Sequence, residues 1–249
     1  MRYQDIQDET NEPQPPHRFF DSLLFPANLT GLGHIAIYTV CFLFLTLVRS
    51  AMIGYAGIAV GFIGLIVTIE MIGYLYHCIR ESASGAISAP DSMLTDSLDI
   101  GGVSATLGGY FSLQGQYLSM IIPALVCFLP ALLYQMFTER FDHIFVILLI
   151  AGTFYFPMLL MAVVIFDSSS GYNPFIHMVS IVCTFFSYCL LVIQVSLVIA
   201  GGVFLIFLFQ SSMIGCIILF PVQLYLVMIM MHLLGRFYYL NQDKLKWDV

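Results

Sequence analysis

Long apolar runs are the feature that most restricts how this chain can fold. Four of them are long enough to cross about 30 Å of hydrocarbon as a helix, and they cover residues 32–48, 52–78, 117–137 and 144–166. A fifth run continues from Phe175 to about Tyr239, which is too long for one crossing. We therefore divide it into spans 175–207 and 212–238, and predict an all-α, polytopic transmembrane helical bundle of about six spans over residues 32–240.

Polar segments complete the predicted organisation. The last run is divided at Gln210-Ser211-Ser212, with Gly201-Gly202 as a competing position. Residues 1–31 are predicted to form an N-terminal tail with a possible interfacial helix. Residues 80–116 are predicted to form a loop, and residues 241–249 a C-terminal tail.

The composition agrees with a membrane protein. Apolar and aromatic residues make up 60% of the 249 residues and charged residues only 9%, too few to solvate a soluble domain. The net charge of -7 provides neither a nucleic-acid footprint nor a basic patch for lipid head groups. The six cysteines lie in or beside apolar runs without a CxxC spacing, which favours packing over a disulfide or zinc site. The expected partner is the lipid bilayer, with no nucleic acid and no cofactor.

Lys and Arg are distributed unevenly, which indicates how the bundle is oriented. If the N-terminus is cytoplasmic, six of them fall inside: Arg2, Arg18, Arg80, Arg236, Lys244 and Lys246. Arg49 and Arg140 then fall outside. Positive residues collect on the cytoplasmic side of membranes, so both termini, the tails and the 80–116 loop are predicted to be cytoplasmic. The sequon at Asn28-Leu29-Thr30 would then be a chance match.

Four glycines form a stripe along the second span. Gly54, Gly57, Gly61 and Gly64 recur at spacings of three and four, so they share one helix face over which another backbone can approach closely. Tight packing inside this bundle is the favoured interpretation. Homodimerisation and a substrate groove are the alternatives.

Glu70 is the one acidic residue well inside an apolar run. A carboxylate in a membrane is by default a candidate for proton or cation handling. If the span enters near Met52, however, Glu70 lies about 27 Å along the axis. We therefore expect it near the inner interface, where a snorkelling or hydrogen-bonded carboxylate is ordinary.

Four histidines fall near the inner ends of the predicted spans: His34, His77, His177 and His232. A second set, Glu70, Tyr74, His77 and Glu81, lies on one side of a helix expected to project into the cytoplasm. Together these groups are candidates for a metal or head-group site. The favoured interpretation is that His and Tyr simply prefer the membrane interface, because there is no HExxH motif and no His pair at i and i+4.

Motifs of soluble enzymes are absent from the sequence. It has no Walker lysine motif, no GxSxG and no GxGxxG, so a non-enzymatic protein is predicted. For transport, the relevant features are Pro123 and Pro130 on one helix face, together with three glutamines in the last two spans: Gln194, Gln210 and Gln223.

Two segments resemble a known family. The stretch Gly73-Tyr74-Leu75-Tyr76-His77-Cys78-Ile79-Arg80-Glu81-Ser82-Ala83-Ser84-Gly85, followed by Ala89-Pro90-Asp91, is similar to a Gly-Tyr-x5-Arg-x2-Ala-x-Gly…Pro-Asp pattern. The ending Leu234-Gly235-Arg236-Phe237-Tyr238-Tyr239 resembles a Leu-Gly-Arg-Phe-Tyr ending. Both are typical of a bacterial family of polytopic membrane proteins of unknown function, distantly Yip-like. The tryptophan common after the Pro-Asp loop is replaced here by Ser92-Met93. The resemblance implies a helical bundle and no catalytic residue, and its motif positions are Arg80, Gly85, Pro90 and Arg236.

Three functional hypotheses follow. The leading one is a non-enzymatic scaffold or membrane-organisation component of the bacterial inner membrane, with a membrane protein partner or a homo-oligomer. The second is a small transporter or channel component that uses Glu70 and the proline-kinked third span. The third is a metal-dependent membrane enzyme with the inner-face histidines as ligands.

Overall fold

The computed structural model describes residues 22–51, 55–90, 103–166, 169–210, 212–245 and 247. Within them the chain forms seven α-helices and no strand: α1 (Leu29–Ala51), α2 (Tyr55–Ala83), α3 (Val103–Thr138), α4 (His143–Phe166), α5 (Pro174–Cys183), α6 (Phe185–Phe209) and α7 (Met213–Leu245). All except α5 are long and apolar enough to cross a membrane. The predicted all-α polytopic bundle of six spans is confirmed.

The long helices run alternately in opposite directions, so their ends form two sets. At one end, Arg236 near the close of α7 donates to Ser22 in the segment before α1. Phe166, the last residue of α4, packs there against Trp247 with 5.0 Å between ring centroids. We call this the terminal end, because both the first and the last described residues lie there. The opposite end, which we call the far end, holds the connections α1–α2, α3–α4 and α6–α7.

The charged residues used to predict the orientation separate between these two ends. Arg80, Arg236 and Lys244 lie at the terminal end, whereas Arg49 and Arg140 lie at the far end. Arg2, Arg18 and Lys246 are outside the described residues.

Buried side chains are concentrated in the half of the bundle near the terminal end. Residues 156–164 of α4 are all buried, whereas none of residues 143–151 is. Helix α7 is likewise buried throughout residues 228–235, and the buried residues of α1 are Gly31 and Ile35, close to its start. The helices are therefore packed together near the terminal end and present apolar side chains to their surroundings near the far end.

Two close helix crossings in the described chain occur at single glycines. A Cβ atom on Gly235 of α7 would clash with the backbone carbonyl oxygen of Ile79 in α2, and one on Gly152 of α4 would clash with that of Cys127 in α3. Only a residue without a side chain allows these backbones to approach so closely. Gln223 joins another pair, since its Nε2 donates to the Gly202 carbonyl oxygen at 2.7 Å and so connects α7 to α6.

Polar side chains cap the first turns of three helices. Asn28 caps α1, and Asn173 caps α5 ahead of Pro174. At the far end, Asp142 accepts hydrogen bonds from two backbone N–H groups in the first turn of α4 and from the Tyr134 hydroxyl, 2.6 Å away. These bonds, with that of Tyr134 the strongest, hold the pKa of Asp142 below its usual value.

The predicted fifth span, 175–207, requires correction. It contains two helices, α5 and α6, which meet at Thr184, where φ is -115° and ψ is 20°. The Ser180 hydroxyl donates to the Ile176 carbonyl oxygen and the Thr184 hydroxyl to that of Ser180. Such back-bonding one turn earlier bends helices, so the crossing is α6 alone and α5 is a short preceding helix. The chain breaks again at Gln210–Ser212, and Gly201 and Gly202 lie within α6.

The predicted tails and loop also differ from the structure. Phe25, expected along the membrane surface, is 1% exposed because it packs on His232 inside the bundle. Helix α7 continues to Leu245, and both Leu245 and Trp247 are buried, so the expected C-terminal tail packs against the bundle. The second half of the predicted 80–116 loop belongs instead to α3, which begins at Val103 and contains no proline before Pro123.

Candidate functional site

Buried polar side chains collect at the terminal end, and His232 lies at their centre. Its Nδ1 is 2.8 Å from Ser82 Oγ, and its ring stacks on Phe25 with 4.0 Å between centroids. A serine next to a histidine also pairs a nucleophile with a base in enzymes. Here both side chains are buried inside the bundle, Ser82 at 1% and His232 at 3% exposure. The contacts therefore join α2, α7 and the segment before α1.

His177 is a second buried histidine with a complete set of partners. Its Nε2 lies 2.8 Å from the Gly171 carbonyl oxygen and its Nδ1 2.5 Å from the Tyr155 hydroxyl. Since a carbonyl oxygen only accepts, Nε2 carries the proton and Nδ1 accepts from Tyr155. Burial lowers the pKa of His177, although the bond to Gly171 partly opposes this. The residue is therefore a neutral link between α4, α5 and the turn between them.

Residues 22–30 are fastened to the bundle by hydrogen bonds that the sequence did not reveal. The side chains of Asn28 and Thr30 both donate to the Ala89 carbonyl oxygen, at 3.1 and 3.2 Å. The Tyr225 hydroxyl donates to the Leu23 carbonyl oxygen at 2.5 Å. The Asn28-Leu29-Thr30 match therefore has a structural explanation. Asn28 caps the first turn of α1, and Asn28 and Thr30 bind the segment that follows α2.

The predicted helix face around Tyr74 and His77 does not project from the bundle. Tyr74 is 1% exposed and stacks on His34, with 4.1 Å between centroids. His77 is half-buried beside Tyr76, whose hydroxyl accepts from Arg80 at 3.3 Å. The expectation of a helix standing in the cytoplasm is wrong here, because α1, α4 and α7 surround this part of α2.

Two motif positions, Gly85 and Pro90, belong to the turn that ends α2. Gly85 has φ +98°, and its N–H donates to the Ser82 carbonyl oxygen while that of Ala86 donates to Glu81. This is the Schellman arrangement, which favours glycine. A Cβ at Gly85 would also lie 2.9 Å from the ring of Tyr239. The half-buried Pro90 directly follows Ala89, so both positions have structural roles.

Glu70 lies near the middle of α2. The helix runs from Tyr55 to Ala83, so Glu70 is about 20 Å from either end. Glu70 is half-buried, and the described residues form no hydrogen bond or ion pair with it. Its expected position near the inner interface stays a prediction.

Two glycines of the α2 stripe, Gly61 and Gly64, are open within the described part of the chain. A Cβ on Gly61 would meet nothing within 4 Å, and one on Gly64 only Leu45 Cδ1 at 4.0 Å. Gly57 is half-buried, and Gly54 lies outside the described residues. Among the described residues, Gly61 and Gly64 therefore make no tight packing contact inside the bundle, and the favoured interpretation stays a prediction.

These two glycines instead line an open groove, which we call the α1–α2 groove. It has a volume of about 250 Å³ and lies between α1 and α2, with Phe220 of α7 also in its wall. Arg49 stands at its far end, and Thr46 and Thr68 are its other polar lining residues.

The histidines considered as candidates for one site have separate partners. His34 stacks on Tyr74, His177 binds Tyr155 and Gly171, and His232 binds Ser82. Across the part of the chain that the structure describes, no three His, Cys, Asp or Glu side chains stand close enough to hold a metal ion.

Comparison of the chain with models of protein families, with curated proteins and with solved structures finds no match. The resemblance to a bacterial membrane protein family therefore stays a prediction.

Proposed function

We propose that this multi-pass membrane protein is a non-enzymatic scaffold of the bacterial inner membrane, and that it binds a transmembrane helix of another protein in the α1–α2 groove. The observation that carries the proposal is the open face at Gly61 and Gly64. Small residues at helical spacing allow close helix packing in lipid. Within the described chain, no helix occupies this face.

Site-specific photo-crosslinking in native membranes tests this proposal. A photoreactive residue at position 61 should give a protein adduct of one discrete mass, and Gly64→Leu should remove that adduct by filling the groove. Position 201 is the matched control, because Gly201 also faces open space but lies on α6. Adducts with lipid alone at position 61 would overturn the proposal.

The proposed orientation places the terminal end in the cytoplasm. It is supported by Arg80, Arg236 and Lys244 at that end. A reporter fused after Val249 should be active only in its cytoplasmic form, and an external reporter would reverse the assignment.

Transport is the second candidate function, favoured by the position of Glu70 near the middle of α2. Helix α3 contains Pro123, which is buried, and Pro130, which is exposed. If Glu70 carries a proton or cation, Glu70→Gln should abolish ion-coupled flux in liposomes, while Glu81→Gln, at an exposed position on the same helix, should not. Absence of flux in the wild type under every gradient would remove this candidate.

A further inference from the structure

A second groove lies between α6 and α7 at the terminal end, separate from the α1–α2 groove. It has a volume of about 500 Å³, and its polar lining consists of Ser22, Ser187, Gln194, Arg236, Asn241 and Lys244. Leucines from both helices form most of the apolar remainder. The groove therefore has both polar and apolar lining residues. Their positions along the two helices indicate which class of ligand fits.

Two cations line this groove. Arg236 is half-buried and Lys244, eight residues later on α7, is exposed. The described lining contains no carboxylate, and Asp243, the acidic neighbour of Lys244, is not part of it. The chain as a whole is acidic, so the fold has brought two of its eight basic residues to one cleft. This charge favours an anion.

The leucines of the groove lie deeper than Lys244, and the polar Gln194 lies deepest. Tyr188 and Phe237 pack with their rings 6.0 Å apart, and Gln223 bonds to Gly202, so the two antiparallel helices are in register along their length. In that register Lys244 lies outermost at the terminal end, whereas Leu190 and Leu233 lie deeper in the span. Eleven residues separate Lys244 from Leu233, or about 16 Å along the axis.

We propose that this groove binds one anionic phospholipid, with its phosphate between Arg236 and Lys244 and an acyl chain along Leu190 and Leu233. Basic pockets between transmembrane helices on the cytoplasmic side are suited to acidic head groups. A guanidinium can bind two phosphate oxygens at once, and Lys244 adds a mobile point charge. The half-buried Ser187 lies in the same lining, where its hydroxyl can bond to the glycerol or ester oxygens, whereas Ser22 is buried and accepts from Arg236.

Native mass spectrometry of the full chain in detergent tests this assignment with phosphatidylglycerol as the probe. Phosphatidylcholine with the same acyl chains is the neutral comparison. We expect phosphatidylglycerol to bind at least tenfold more tightly. Each cation near the surface contributes about fivefold, equivalent to about 1 kcal/mol. Lys244→Gln should therefore weaken binding about fivefold, and the double change with Arg236→Gln about twenty-five-fold.

Control variants separate this site from general charge effects. Arg80→Gln removes one charge at the same end but outside the groove, and should leave the affinity unchanged. Leu190→Gln should weaken lipid binding because it makes the acyl wall polar. Lys244 is exposed, so Lys244→Gln gives a readout even if Arg236→Gln impairs folding.

Three results would overturn the proposal. The first is equal affinity for the anionic and the neutral lipid, and the second is full binding by the double variant. The third is displacement of the lipid by an equal concentration of soluble glycerol phosphate, which would identify a water-soluble ligand. The proposal does not depend on the scaffold function. A substitution at Gly61, which lines the α1–α2 groove, should leave the lipid affinity unchanged.

Discussion

At the scale of single residues, His177 connects packing to pH. Burial lowers its pKa in the folded state, so the unfolded chain takes up a proton at a higher pH than the folded chain does. A proton on Nδ1 would also remove the acceptor for the Tyr155 hydroxyl. The neutral His177 side chain makes its full contribution to the free energy of unfolding above about pH 6.5. That contribution decreases as the pH falls below this value.

We therefore expect acid to destabilise the protein partly through this residue. Between pH 7.5 and 5.5 the wild type should lose stability by up to about 1.4 kcal/mol per pH unit below 6.5, and His177→Gln should show a smaller dependence. Thermal unfolding in detergent measures both. His143→Gln, at an exposed site, is the control, and an unchanged pH dependence in His177→Gln would contradict this role.

The sequence located the histidines but not the side chains that they contact. Because histidine prefers the membrane interface, all four were predicted to lie near one face. The bonds of His232 to Ser82 and of Asn28 to Ala89 join residues 150 and 61 positions apart. Which side chains meet over such separations depends on helix rotation and register, and an apolar pattern carries little information about either.

At the scale of helices, the crossing of α2 and α7 depends on Gly235. Gly235→Ala should destabilise the fold by about 1–3 kcal/mol, because its methyl group would have to displace the backbone of α2 at Ile79. Gly201→Ala, which adds the same methyl group in open space, should be neutral or slightly stabilising. Thermal unfolding of the two variants measures the difference, and equal stability would mean that α2 and α7 do not meet at this glycine.

The number and type of the helices could be predicted because a bilayer requires long apolar segments. The bend at Thr184 could not, because Ser180 and Thr184 interrupt the apolar run only weakly and act through hydrogen bonds to the helix backbone. The glycine stripe of α2 likewise did not indicate where the helices cross. A repeated stripe indicated a contact at Gly61, whereas the close crossings occur at Gly235 and Gly152, which have no such repeat.

At the scale of the whole molecule, the last described residue is packed into the bundle. Trp247, the only tryptophan, is 9% exposed, and its Nε1 donates to Ser180 Oγ at 2.7 Å. Its ring contacts Phe166 and Tyr238. Trp247 thereby covers part of α5.

Trp247 is consequently an intrinsic probe of this contact. Acrylamide should quench wild-type fluorescence weakly, and Ser180→Leu should increase the quenching constant severalfold by displacing the indole. Ser84→Leu, at an exposed position of the same end, should leave it unchanged. Strong quenching in the wild type, comparable to that of free tryptophan, would show that the C-terminal segment is detached.

Burial confined to one half of the bundle has a mechanical consequence. Near the terminal end, side chains of several helices interlock, so lateral compression there must deform a close-packed interior. Near the far end, the described helices expose apolar side chains, and the lipid tails expected around them would yield easily. Membrane tension or a change in bilayer thickness should therefore alter the helix spacing at the far end first. The terminal end would act as the stiff hinge about which that change occurs.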